Sequence, residues 1–343
     1  MTDTPTTPDR ILLAHGSGGV MTHELIRDVF VRHFDHPALD AMGDAAVLPA
    51  LPEGRLAMTT DSYVVQPLFF PGGDIGELAV CGTVNDLAVA GARPLYLTSG
   101  FILEEGLPWE TLERVVASMA ATARETGVRI VAGDTKVVER GAADGLFINT
   151  AGVGVVPSGL ALDPARLQPG DALLVNGTMG DHGLAVMIQR EALAFGSALE
   201  SDSAPLNGLI AAVLGSARGS VRCMRDATRG GLATVLNEWT ETAAVGIEVE
   251  ERAIPVREDV RAACEFLGLD PLYAANEGKV VIALAAEAAE TALAAMRAHP
   301  LGRDAALIGR ITAEHPGRVA LRTPYGARRV LPMLTGAQLP RIC

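Results

Sequence analysis

The chain has 343 residues, 49% apolar and 20% charged, enough to bury a sizeable core and to favour two domains over one. Its formal net charge is −13, aromatics make up 4%, and no basic run exceeds Arg328-Arg329, a profile that excludes an ordinary nucleic-acid binder. An anionic ligand would need metal ions, backbone N–H groups or a few placed cations to offset that field.

From the N-terminus, MTDTPTTPDR is polar and acidic, without the charged-then-apolar pattern of a signal segment. HGSGG (15–19) leads into a stretch where Met21, Leu25, Ile26, Val29 and Phe30 recur at helical spacing. RLAMTTD (55–61) reads as a strand, and Asp74-Ile-Gly-Glu77 has the spacing of a capping box opening a small-residue helix to about Ala90. PLYLTSGFIL (94–103) is strand-like, Pro108 begins a helix that Gly127 stops, and 128–134 and 146–156 are strands. A turn-rich connection through Pro157, Pro164 and Gln168-Pro-Gly-Asp171 follows, and ALLVNG restarts a strand. Beyond it the pattern predicts helices near 181–192, 204–216, 229–242 and 257–267, and strands near 246–250, 279–284 and 306–311. The elements do not alternate strictly, so the expected class is α+β. The expected division is 1–156, 157–330 and a tail, 331–343, that could reach roughly 40 Å at about 3.3 Å per residue. No apolar stretch reaches the roughly 18 residues of a membrane span. Cys81, Cys223, Cys264 and Cys343 lie far apart, which suits a reduced cytoplasmic protein without a zinc site or disulfide framework.

Carboxylates stand in odd company in the first half: Asp44 in GDAAV, Asp61 in TTDSY, Asn85-Asp86 in CGTVNDLAVAG, Asp134 in AGDTK. Isolated charges among small and apolar residues are costly, and several acids in one cleft repel unless a cation joins them. Hard oxygen ligands without Cys or His suit Mg²⁺, usually shared with substrate phosphates; turn or cap roles are the plainer alternative for any single one. There is no Walker loop and no kinase signature, so a nucleotide would be held differently. HGSGG could wrap phosphates with backbone N–H groups, or be only a flexible loop. Asp226, before the helical pattern LATVLNEW, is either near an anion or an ordinary cap. Lys136 is a candidate cation for phosphate or a developing oxyanion, against a solvated lysine. Glu277 in Asn276-Glu277-Gly278 is a candidate base, against a surface turn. His33-x-x-His36 reads as surface, and His182 in GDHG as a residue that orients a loop. The chain closes on QLPRIC. Its terminal carboxylate should raise the Cys343 thiol and Arg341 should lower it by similar amounts, leaving a carrier near the usual value of about 8.5.

Taken together, HGSGG, GDAAV, TTDSYV, NDLAVAGARP, GDTKVV, DATRGGLAT, NEGK and the terminal PRIC closely resemble the HypE family, carbamoyl dehydratases of [NiFe]-hydrogenase maturation. The resemblance covers nearly the whole chain. It implies the two-domain ATP-binding fold of aminoimidazole ribonucleotide synthetase and selenophosphate synthetase, and dimers whose N-terminal sheets pack together. It further implies that Cys343 takes a carbamoyl group from the carbamoyltransferase HypF and that ATP-driven dehydration leaves a thiocyanate on the sulfur. The cyanide then passes to the HypC–HypD scaffold. By the same resemblance Asp44, Asp61, Asn85, Asp86 and Asp134 would serve ATP and Mg²⁺, with Asp226 as a further metal ligand. Lys136 and Glu277 would serve oxygen activation and proton removal. Selenophosphate synthetases carry their reactive Cys or selenocysteine in the N-terminal glycine loop, whereas this loop, His15 to Gly19, has none. A non-enzymatic thiol carrier would not need the set of acids.

Overall fold

The computed structural model describes residues 9–40, 42–193, 199–336, 339 and 341–343. A short helix, α1 (Val20–Leu25), widens into a π turn, Ile26–Val31, and continues as α2 (Arg32–Phe34); α3 (Pro37–Asp40) follows. Then come β1 (Arg55–Tyr63), a small ribbon of β2 (Phe69–Phe70) and β3 (Gly73–Asp74), and α4 (Ile75–Val89). β4 (Arg93–Glu104), α5 (Trp109–Thr126), β5 (Arg129–Val138) and β6 (Leu146–Val156) complete this half. Its sheet has the order β1-β6-β4-β5, antiparallel except for the parallel pair β4–β5.

α4 explains how the two halves meet. The Asp74 carboxylate caps it by accepting from the Gly76 and Glu77 N–H groups at 2.7 and 3.1 Å. Thirteen of its 15 residues are buried, as expected of a helix without a polar face. It packs on β1 and β6 on one side and on β8 and α7, defined below, on the other. The approach is close enough to require glycine: a Cβ on Gly82 would stand 2.3 Å from the Tyr63 hydroxyl.

The second half runs β7 (Ala172–Val175), α6 (Asp181–Arg190), α7 (Asn207–Ala217), β8 (Val221–Asp226), α8 (Gly231–Ala243), β9 (Gly246–Glu250) and α9 (Glu258–Leu267). It ends with β10 (Val280–Leu284), α10 (Ala289–Arg297), β11 (Ala306–Thr312), β12 (Val319–Arg322) and β13 (Arg328–Val330). The seven-stranded sheet is ordered β13-β12-β9-β11-β7-β10-β8, with β9–β12 its parallel pair. The class is α+β, as the pattern predicts. β8, α10, β12 and β13 lie outside the sequence expectation. VRCMRD carries three charges and occupies a sheet edge, the Ala-rich α10 has no clean stripe, and β12 and β13 are too short to show a period. Among the described residues no helix is long and apolar enough to cross a membrane.

Candidate functional site

The last turns of α4 and the end of β1 open on the seam between the halves. Thr59 Oγ1 donates to Asp86 Oδ2 at 2.8 Å, and burial raises the Asp86 carboxyl. Asp61 shares this side of β1 with Thr59 and Tyr63 by strand alternation. From the other half come Asp226, the last residue of β8, and Glu277. Asp226 is a buried strand end and not a helix cap, and its carboxyl is pushed up to about 7 by burial and then by Asp86. Glu277 is not on a surface turn either. It is 3% exposed, and burial, reinforced by Asp226, Asp202, Asp61 and Asp86, drives its carboxyl well above the usual range. Acids this close with little compensating cation make a locus that attracts positive charge and stores protons.

Asn85 has another job. Its side-chain amide donates to the Ala204 and Glu277 carbonyls at 3.0 and 3.2 Å and accepts from the Leu206 N–H at 2.7 Å. With both amide hydrogens committed to backbone, it clips α4 to the other half and fixes the segment that carries Glu277.

The chain end is docked against this seam. The Val64 N–H donates to the Cys343 main-chain oxygen at 3.1 Å, and Arg341 donates to the Val64 carbonyl while pairing with Asp144 at 2.9 Å. Ile342 is buried in the first core, and its carbonyl meets His182 Nε2 at 2.6 Å. The Cys343 thiol is pushed up to about 12, first by burial and then by Glu277 and Asp61, with Arg229 opposing. The expected cancellation fails because Arg341 spends its charge on Asp144, and desolvation, invisible in the sequence, dominates. At rest the thiol is protonated and within the electrostatic reach of Glu277.

The second locus is a cavity of about 340 Å³. Its apolar back is formed by Ile26, Phe30 and Phe34 of the helical run, and its mouth by Gly16, Gly18, Asp44, Asp134 and Lys136. Two glycines of HGSGG therefore line the mouth. Lys136 Nζ pairs with Asp134 Oδ1 at 2.8 Å, both well exposed. Ser99 is also among the lining residues, and its buried Oγ has no hydrogen-bond partner. The apolar back, glycine-rich lip and cation at the rim fit a nucleotide.

Comparison with known proteins agrees. The AIR synthase related protein family matches through its N-terminal domain at residues 42–156 and its C-terminal domain at 168–322. Carbamoyl dehydratase HypE of Azotobacter vinelandii is 56% identical over 331 residues, 96% of each chain. This chain belongs to the HypE family. A crystal structure of the hydrogenase maturation protein HypE in complex with ATP is similar at TM-score 0.92 and 54% identity, covering 97% of this chain and 99% of that one. A crystal structure of a HypE–HypF complex is similar at TM-score 0.80 and 49% identity, covering 90% and 99%.

In this HypE-family chain the expected residues fall into two groups. Asp61, Asp86, Asp226, Glu277 and Cys343 gather at the seam; Asp44, Asp134 and Lys136 gather at the cavity. No three His, Cys, Asp or Glu among the described residues form a ready-made metal cage. Asp61 and Asp134 lie on β1 and β5, the opposite edges of a four-stranded sheet, about 14 Å apart at about 4.8 Å per strand. Their side chains also point to opposite faces, since Asp134 is in register with Gly100 and Asn149, whose amide meets Ser62 on the open side. Sequence reasoning did not single out Ser99 as a cavity-lining residue and did not place His182 against the chain end. The only trace of either was a small polar residue in an apolar strand and a His beside glycines.

Proposed function

We propose that this HypE-family chain dehydrates a carbamoyl group carried on Cys343 at the expense of ATP, leaving a protein S-thiocyanate. The observation that supports the reading is the docked chain end, which brings the terminal Cys343 to the seam that holds the buried Glu277 and its neighbouring acids. The carbamoyl oxygen attacks the γ-phosphorus of ATP, ADP leaves, and one N–H proton passes to a base. The second N–H proton then leaves as the C–O bond breaks, giving S–C≡N and inorganic phosphate. Oxygen thus departs as phosphate, a far better leaving group than hydroxide. Glu277 is the proposed base. Raised by its surroundings, it is a stronger acceptor than a free carboxylate once it has lost its own proton. Lys136 is proposed to offset charge on the phosphoryl oxygens.

Mg²⁺ suits the seam because burial and the crowding of Asp226, Asp86 and Asp61 outweigh the nearby Arg225 and Arg229, and this ion is usually held by one or two carboxylates with substrate phosphates rather than by a protein cage. Asp61, Asp86 and Asp226 would hold such an ion at the seam, and Asp44 and Asp134 would hold another at the cavity. When bound it neutralises the triphosphate.

The separation of the two loci supports a dimer in which the open faces of two β1-β6-β4-β5 sheets pack, bringing the cavity of one copy to the chain end of the other. Leu56 and Met58, 63% and 71% exposed, lie on that face. HypF is the proposed carbamoyl donor, in line with the HypE–HypF complex, and HypC–HypD the proposed acceptor. Mass spectrometry of the C-terminal peptide tests the reading. With the carbamoyl donor system Cys343 gains a carbamoyl group, and with ATP that adduct loses one water. A carbamoyl adduct unchanged by ATP, or thiocyanate formed after deletion of Cys343, overturns it.

A further inference from the structure

His182 is fully buried on the second residue of α6, edge-on to Phe70 with ring centroids 5.5 Å apart. It has no part in the dehydration steps, and burial lowers its basicity, so the ring is neutral. A carbonyl can only accept, so Nε2 carries the hydrogen toward Ile342, and Nδ1 must accept from Ser201 Oγ–H at 2.8 Å. Ser201 in turn accepts from the Ser203 N–H at 3.0 Å, which orients its hydroxyl. The same frame carries Glu277. The Gly180 N–H donates to Asn276 Oδ1 at 2.7 Å, the Gly183 N–H to the Ala275 carbonyl at 3.0 Å, and the Glu277 N–H to Asp202 Oδ1 at 3.0 Å. Asp202 is pinned by Lys279 Nζ at 3.1 Å. His182 and Glu277 are therefore fixed relative to each other, and the ring grips the chain one peptide before the thiol.

We propose that His182 is a positioning residue for Cys343: its buried Nε2–H, oriented through Ser201, holds the Ile342 carbonyl and so sets where the sulfur rests at the seam that carries Glu277. The inference depends on the proposed function only for its meaning, because its test reads the thiol directly.

The test is alkylation of the full-length protein by iodoacetamide at pH 8, followed residue by residue by peptide mass spectrometry. Docked, the thiol is shielded and held near 12, so labelling proceeds through the undocked chain end. His182→Ala is expected to speed labelling of Cys343 about tenfold, the factor that about 1.4 kcal/mol makes in an equilibrium. His182→Gln, whose amide N–H reaches close to where Nε2–H lies, is expected to restore a rate near that of the unsubstituted protein. Cys81, Cys223 and Cys264 are buried and act as internal reporters of unfolding. Unchanged Cys343 labelling in His182→Ala overturns the inference. So does His182→Gln labelling as fast as His182→Ala, which would place the effect in ring packing. If all four cysteines of His182→Ala label together, Ser201→Ala decides, since it removes only the hydroxyl that sets the tautomer; unchanged Cys343 labelling there also overturns the inference. Normal thiocyanate formation with no labelling effect sinks this inference alone, whereas a labelling effect without ATP-driven water loss sinks the dehydratase reading alone.

Discussion

Asp226 and Glu277 are costly residues for a folded chain to keep, and that cost can be measured. A carboxyl raised from its ordinary range to about 7 holds its proton in the folded state while the unfolded chain has already released it. Stability from this group is therefore greatest below about pH 4, falls as pH rises toward about 7, and is level above. Asp226→Asn should stabilise the ligand-free protein at pH 8 by a few kcal/mol, since each tenfold difference in proton affinity between the folded and unfolded chain is worth about 1.4 kcal/mol, and the gain should vanish near pH 4. Thermal melts at the two pH values check this, and an equal effect at both would refute it. For Glu277 the sign is the same, so a base that must first ionise should give a dehydration rate that climbs with pH. In single-turnover assays Glu277→Gln should lose that rising limb and slow the reaction by about a hundredfold or more. A limb that survives the substitution would assign it to another group. That Glu277 is buried could not be read from Asn276-Glu277-Gly278, because the burying surface comes from α4 and the chain end, distant in sequence.

At the scale of elements, α4 connects everything. Its lack of a polar face is visible in the sequence as small and apolar residues from Ile75 to Val89, interrupted by Asn85-Asp86. The interruption is legible as a functional signal, but its division of labour is not. Asp86 faces the seam acids while Asn85, one residue and about 100° further round the helix, clips backbone across the seam. Asn85→Ala should cost about 2–4 kcal/mol in urea unfolding, since the Leu206 N–H and the Ala204 carbonyl lose this partner and the Glu277 carbonyl loses one of two donors. It should also slow dehydration through the misplaced Glu277. A stability loss below about 0.5 kcal/mol would show that the clip is dispensable. Gly82→Ala tests the packing itself. The methyl meets the Tyr63 hydroxyl and should lower stability by about 1–3 kcal/mol, read in the same titration.

For the molecule as a whole, the decisive fact is that cavity and chain end lie at opposite edges of one small sheet. If the open faces pair, Met58→Glu should yield monomers in sedimentation velocity, with ATP-driven water loss at Cys343 reduced at least about tenfold while labelling of Cys343 by iodoacetamide persists. A monomeric variant of full activity would place the complete site within one chain. Local chemistry was available from the amino-acid order alone: the α+β class, most element bounds, the acids in apolar company, the glycine-rich lip and the terminal thiol, because periodicity, capping and charge desolvation act over a few residues. What only the folded molecule decided is which acids meet, that Asn85 spends its amide on backbone, that His182 grips the chain end, and that the thiol is raised to about 12. Those outcomes depend on burial and on contacts between residues more than a hundred positions apart, and burial is a property of the whole packed structure that no short stretch of sequence carries.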